Sequence, residues 1–146
     1  MATTSLWGRT PRQSIERECD RRGRKTVVAG CRALIRGELV DSELLLALGG
    51  PPAGRFLDGE KRRDMYWLRV WGLRGLLWAW DDAAVPEVRT AIEDEAWRVR
   101  EMALKVVSMH LIVDLLPEVA AARDDAVARV RRAADHALAH LTTAGA

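Results

Sequence analysis

A few residues in this chain have the type and spacing to do chemistry. His136 and His140 stand four apart. That spacing puts two imidazoles on one helix face, where they can share a metal. No Glu follows His136 and no third ligand lies near in sequence, whereas a catalytic zinc takes three protein ligands, so the pair reads as solvated helix surface. Asp81-Asp82 and Asp124-Asp125 have the make-up of acid–base couples. Each pair stands where a helix begins, and there a carboxylate accepts an orphan backbone N–H and meets the positive end of the dipole; they read as caps. Cys19 and Cys31 form no CxxC pair and are too few for zinc, so they read as reduced thiols. Gly49-Gly50 precedes two prolines rather than a phosphate-binding Lys-Ser, and no Ser-His-Asp or Cys-His set has supporting spacing. The expectation is a non-enzymatic protein with no metal and no cofactor.

What remains is recognition. Trp67, Trp71, Arg74 and Trp78 step by four, three and four residues, as do Arg98, Met102, Lys105 and Met109, and again Arg129, Ala133, His136 and His140. Each set therefore lies on one helix face. Trp, Met and Arg are the types enriched at the centres of protein interfaces. The first two sets are the candidate protein-binding residues, with Trp67 and Trp78, nearer their helix ends, the more exposed. The competing reading of Trp71 is a core residue packed under the N-terminal helices against Leu44 to Leu48.

The elements that position these sets follow a 31-residue offset. Pro86-Glu87-Val88 recurs as Pro117-Glu118-Val119, Val99-Arg100 recurs as Val130-Arg131, and one period earlier stands Leu68-Arg69. A period of this size marks helix pairs that bury their apolar faces only against their neighbours. The last unit has a short helix from Pro117 to Arg123 and a long one with Val127, Val130, Ala134, Ala137, Leu138 and Leu141 on one stripe. The middle unit has a short helix from Val85 to Ile92, a corner at Glu93-Asp94-Glu95, and a long helix with Val99, Ala103, Val106 and Val107 inward, ending at His110. The first has a short helix from Pro52 to Leu57 and a long one from Arg63 to Trp80, with Leu68, Gly72, Gly75 and Leu76 inward. Two glycines inside that helix imply close helix contact or room for Trp71 and Trp78. Upstream, Pro11 to Arg22, Lys25 to Arg36 and Asp41 to Leu48 read as helices stopped by Gly23 and Gly37. The organisation is thus one all-α domain: residues 1–50 a divergent N-terminal cap, 51–142 the repeats, 143–146 a frayed tail.

The chain has 146 residues, 49% of them apolar, and a net charge of +2, which gives no global field to attract polyanions. Charge is uneven, however. Residues 1–36 hold nine Lys or Arg against three Asp or Glu, and the remainder fourteen against eighteen. Arg12, Arg21, Arg22, Arg24 and Lys25 are the candidate phosphate contacts if the partner is nucleic acid. No stretch approaches the roughly 20 apolar residues of a membrane span, and Met1 to Thr10 carries no signal-peptide pattern. A cytoplasmic location, no membrane partner and a monomeric state are the defaults.

The blocks Asp94-Glu95-Ala96-Trp97-Arg98-Val99-Arg100-Glu101-Met102-Ala103-Leu104 and Asp125-Ala126-Val127-Ala128-Arg129-Val130-Arg131-Arg132-Ala133-Ala134 resemble the second-helix motif of HEAT repeats, in particular the short bacterial, phycobilin-lyase-like type. The resemblance implies a right-handed α-solenoid of antiparallel helix pairs whose second helices line the inner curve. It also implies an inter-repeat ladder in which Asp94 pairs with Arg100 and Asp125 with Arg131. The first unit has Arg63 where the ladder Asp belongs, so Arg69 is expected to lack its partner. Function is not implied by fold. The reading that follows is an interaction module for a protein partner, with nucleic-acid binding as the alternative. HEAT-like alkylpurine DNA glycosylases grip a duplex with an aromatic and an Asp near an Arg, to which Trp78, Asp82 and Arg98 are faintly similar. An accessory role like that of the bilin lyases is the outlying third.

Overall fold

The computed structural model describes residues 9–144, which contain helices and no strand. The chain divides into two compact units, one ending at Asp81 and one beginning at Asp82.

In the first unit, α1 (Pro11–Arg22), α2 (Arg24–Ile35) and α3 (Ser42–Gly49) lie within two residues of the ranges read from sequence. Thr10 opens α1 with a capping box, its hydroxyl accepting from Gln13 N–H while the Gln13 side chain accepts from Thr10 N–H. Asp41 caps α3 by accepting from Leu44 N–H. The segment read as a short helix over Pro52 to Leu57 is a 3-10 turn, Pro51–Phe56. Two prolines lack the N–H groups an α-turn needs, and the bonds that form reach only three residues, Ala53 to Gly50 and Leu57 to Gly54. The long helix α4 (Tyr66–Trp78) starts three residues later and ends two earlier than expected. Ion pairs of Asp58 with Arg62 and of Asp64 with Arg55 hold the preceding loop.

The centre of this unit is α2 against α4. Val27, Val28, Cys31, Leu34 and Ile35 on α2 are buried, as are Val70, Leu73 and Leu76 on α4. Gly72 and Gly75 permit the approach: a Cβ at Gly72 would stand 2.9 Å from the Cys31 carbonyl oxygen, and one at Gly75 2.5 Å from Cys31 Sγ. Of the two roles open to those glycines, close helix contact is the one observed. Residues 51–78 therefore pack with 11–49. Burial pushes the Cys31 thiol up to about 12, which leaves it an inert apolar filler. Cys19 is also free.

The second unit repeats itself. The 3-10 turn Asp82–Ala84, α5 (Val85–Ile92) and α6 (Trp97–His110) are followed by the turn Val113–Leu115, α7 (Leu116–Ala122) and α8 (Ala128–Ala144). Starts of corresponding elements differ by 31 residues. The corners match atom for atom. Asp94 Oδ1 accepts from Ala96 N–H and Asp125 Oδ1 from Val127 N–H, both at 2.8 Å. Arg100 Nη1 donates to the Asp94 carbonyl at 2.8 Å and Arg131 Nη1 to the Asp125 carbonyl at 2.7 Å. Like packs on like, α6 on α8 and α5 on α7, and Val99, Ala103 and Val106 on α6 and Val130, Ala134 and Ala137 on α8 are all fully buried.

The ladder differs from its expected pairing. Within each corner Arg meets a main-chain carbonyl, because the Asp side chain is turned onto the N–H two residues on. The carboxylate pairing runs to the next layer: Arg100 Nε and Nη2 hold the two Asp125 oxygens at 2.8 and 3.0 Å. Burial opposes the Asp125 charge, but the hydrogen bonds from Arg100 and Val127 N–H outweigh it and hold the carboxyl below its ordinary range. Nor is Arg69 left without an interaction. At the far end, the tail expected to fray stays helical to Ala144, with the Thr142 and Thr143 hydroxyls donating to the Ala139 carbonyl; residues 145 and 146 lie outside the described range.

Two measurements test this packing. Gly72→Ala should cost about 1–3 kcal/mol despite alanine's better helix propensity, since the new methyl meets backbone. Gly54→Ala, with open space around it, should be neutral or slightly stabilising in the same urea titration. Asp125→Asn keeps the cap but weakens the Arg100 fork and should cost about 1–3 kcal/mol at neutral pH. Because the folded carboxyl titrates below its unfolded counterpart, that difference should be complete above the ordinary carboxyl range and close as pH falls through the folded value.

Candidate functional site

The residues nominated from sequence fall in both units, with Trp67 to Trp78 in the first and Arg98 to Met109 in the second. In the first unit the stripe is mostly structural. Trp71 is 4% exposed. It meets Phe56 edge-on at 5.4 Å between centroids and stacks on Trp67 at 6.2 Å, and its ring lies where a side chain at Gly49 would be. This is the competing core reading of Trp71, packed under α3. Arg74 is not available to a partner either. Its Nη2 donates to the Leu48 carbonyl, one of the orphan acceptors at the C-terminus of α3, where a cation is favoured. Burial pulls the Arg74 pKa below its usual value. Trp67 and Trp78 are half-buried.

The basic N-terminal residues are also largely committed. Arg21 pairs with Glu18 and Glu43, Arg22 with Glu18 and Asp41, and Arg12 with Glu16. Arg22 above all, through its hydrogen bonds, holds the Asp41 carboxyl down to about 2. These pairs tie α1 to α3, and a guanidinium fixed on two carboxylates contributes little to phosphate neutralisation. Arg24 and Lys25 are exposed.

In the second unit the nominated face is on the surface. Arg98, Lys105 and Met109 are exposed and Met102 is half-buried on α6; Arg129, His136 and His140 are exposed on α8. Across the two helices the buried Glu101 is held by Arg129 at 2.8 and 3.2 Å and by Lys105 at 3.5 Å. Trp97 lies between two guanidiniums, with Arg98 4.4 Å and Arg129 5.3 Å from its ring centroid. Ser108 Oγ meets His140 Nδ1 at 2.5 Å, and the His136 and His140 rings lie 4.2 Å apart. Among the described residues no group of three or more His, Cys, Asp or Glu could hold a metal ion.

The chain's most distinctive surface was not nominated. Met109, Leu111 and Val113 are 55%, 45% and 56% exposed, and Leu116 follows at 39%. Four large apolar side chains thus face water within eight residues at the C-terminal end of α6. Leu111 is left-handed, φ 51° and ψ 54°. It closes α6 in a Schellman turn, with Leu111 N–H and Ile112 N–H both donating to the Val107 carbonyl. Glycine is the usual residue there, since left-handed backbone costs a side-chain-bearing residue about 1–2 kcal/mol. The signal available in sequence was the apolar run Leu111-Ile112-Val113 directly after a helix end, without a glycine.

Leu111→Gly should therefore stabilise the protein by about 0.5–1 kcal/mol, the conformational relief less glycine's greater freedom when unfolded, read as a higher urea midpoint at unchanged slope.

Comparison with family models, with curated proteins and with solved structures finds no match to this chain.

Proposed function

We propose that the protein is an interaction module that binds a segment of another protein and carries out no chemistry. The apolar tip Met109–Leu111–Val113 supplies the anchor, and the cationic line of Arg98 and Lys105 along the same helix supplies the flank. The observation that carries this reading is the exposure of those three side chains with Leu111 in a strained conformation. Backbone strain concentrates at sites of use, and exposed apolar clusters rimmed by polar groups mark docking surfaces. The fitting partner is a segment with apolar anchors and acidic neighbours, since Arg98 and Lys105 steer carboxylates. The repeat geometry of the second unit supports a HEAT-like layer, and a right-handed α-solenoid working in the cytoplasm is the architecture proposed with it.

The test is affinity capture with three versions of the chain: wild type, Met109→Asp with Leu111→Asp, and Ala121→Asp, an exposed position on α7, as control. All three should melt cooperatively. A partner retained by wild type and control and reduced at least tenfold by the double variant, about 1.4 kcal/mol or more in affinity, is the expected result. Equal retention by all three would exclude this tip as the anchor. Capture abolished by about doubling the salt and insensitive to the apolar variant would favour nucleic acid instead.

A further inference from the structure

The second unit ends on a face whose unspent groups are defined by the layer before it. Arg100 uses both edges of its guanidinium: Nη1 holds its own corner's carbonyl, while Nε and Nη2 hold the Asp125 carboxylate of the next layer. Arg131, one period on, is anchored identically by Nη1 on the Asp125 carbonyl. Its Nε and Nη2 make no hydrogen bond or ion pair among the described residues. It is a carboxylate fork, already oriented by its anchor, with nothing in it.

The same face shows what does not fill the fork. Where the previous layer has buried Ile92 and Leu104, this one has Arg123 and Asp135, and those two pair at 2.9 Å. A further apolar layer stacked in the repeat geometry would bury that pair at a desolvation cost. The face instead suits a polar contact. It carries a complement to the fork, with Arg132 as a surplus cation: Asp124 lines the same cleft of about 510 Å³ as Arg123, Arg131 and Arg132, and its carboxylate makes no bond among the described residues.

We propose that this end face is a two-fold contact with a second copy of the chain, in which Arg131 of each copy holds Asp124 of the other. Both groups line one cleft, so a two-fold axis through it brings each fork to the opposite carboxylate and satisfies both at once, as an isologous interface requires. Ala120, exposed on α7 and lining the same cleft, gives the contact a small apolar margin. A face about two helix diameters wide and one α8 long covers about 500 Å² per copy, so the pair buries about 1,000 Å², near the lower limit for a specific interface. The dimer is accordingly weak, concentration-dependent and sensitive to salt. It uses α7 and α8 and none of the α6 tip, so it stands or falls apart from the partner surface above.

Sedimentation equilibrium of the full chain over a wide concentration range, at low and high salt, tests it. Wild type should pass from monomer to dimer. Arg131→Glu and Asp124→Arg should each raise the dissociation constant at least tenfold, and the two together should restore it, because the swap recreates the pair with its signs exchanged. Asp124→Arg leaves the Asp125 cap and the Arg131 anchor untouched, so its effect stands even if Arg131→Glu loosens the corner. A monomer at every concentration, a dimer indifferent to both reversals, a double variant no better than the singles, or assemblies growing past the dimer would each overturn the proposal.

Discussion

One guanidinium fixes the geometry of the second unit. Val99, Ala103 and Val106 on α6 and Val130, Ala134 and Ala137 on α8 are all fully buried. Small apolar surfaces of that kind attract without dictating position, because dispersion and burial are non-directional. Arg100 supplies direction. With one edge on the carbonyls of Asp94 and Glu95 and the other on the Asp125 carboxylate, it sets where one helix pair meets the next. Asp125 in turn opens α8 by accepting from Val127 N–H, so the residue that receives the fork also fixes the start of the helix being stacked. The other links between the layers, Glu101 with Arg129, Arg89 with Glu118 and Ser108 with His140, act on a register already chosen.

The first unit reaches the same end by different means. Its two central helices touch through glycine, and proximity of backbones fixes their depth. Arg74 there holds a helix-terminal carbonyl, as Arg100 and Arg131 do, but it is half-buried. Trp71, at the middle of the stripe that looked like a binding surface, is the filling between α3, the Pro51–Phe56 turn and α4. A Trp–Arg line at helical spacing is thus produced equally by a recognition face and by a core that needs volume and a C-cap, and the two cannot be separated by spacing alone.

The second unit was legible in sequence because its two layers are copies: the 31-residue offset located each helix start, each corner Asp and the buried Val and Ala positions. What spacing could not reveal was which atoms of the corner residues meet. Asp94 and Arg100 recur together at a separation of six, and so do Asp125 and Arg131, so the same-layer pairing was the natural one to read. It fails because the same-layer Arg is spent on the corner carbonyl, while the Asp125 carboxylate accepts from Val127 N–H and from Arg100 of the layer before. The grouping of residues 51–78 with 11–49 was hidden for a related reason. Offset analysis sees likeness between segments, whereas Gly72 and Gly75 set a contact with a helix they do not resemble. The basic N-terminal stretch looked free because its partners Asp41 and Glu43 lie some twenty residues downstream, beyond a turn.

The exposed tip of α6 gains meaning from its own counterparts. At the positions one period after Met109, Leu111 and Val113 stand His140, Thr142 and Ala144, two of them polar and the third small. On the end face of the same unit, buried Ile92 and Leu104 give way to the paired charges of Arg123 and Asp135. A polar solution is therefore present in this fold at both of those places. At the tip of α6 the chain instead shows three large apolar side chains, one of them held in a backbone conformation that favours glycine. Leu111 stays 45% exposed in the free protein despite the strain it carries. Full burial comes only when something apolar covers it, and that makes the tip a surface whose free energy is recovered by binding.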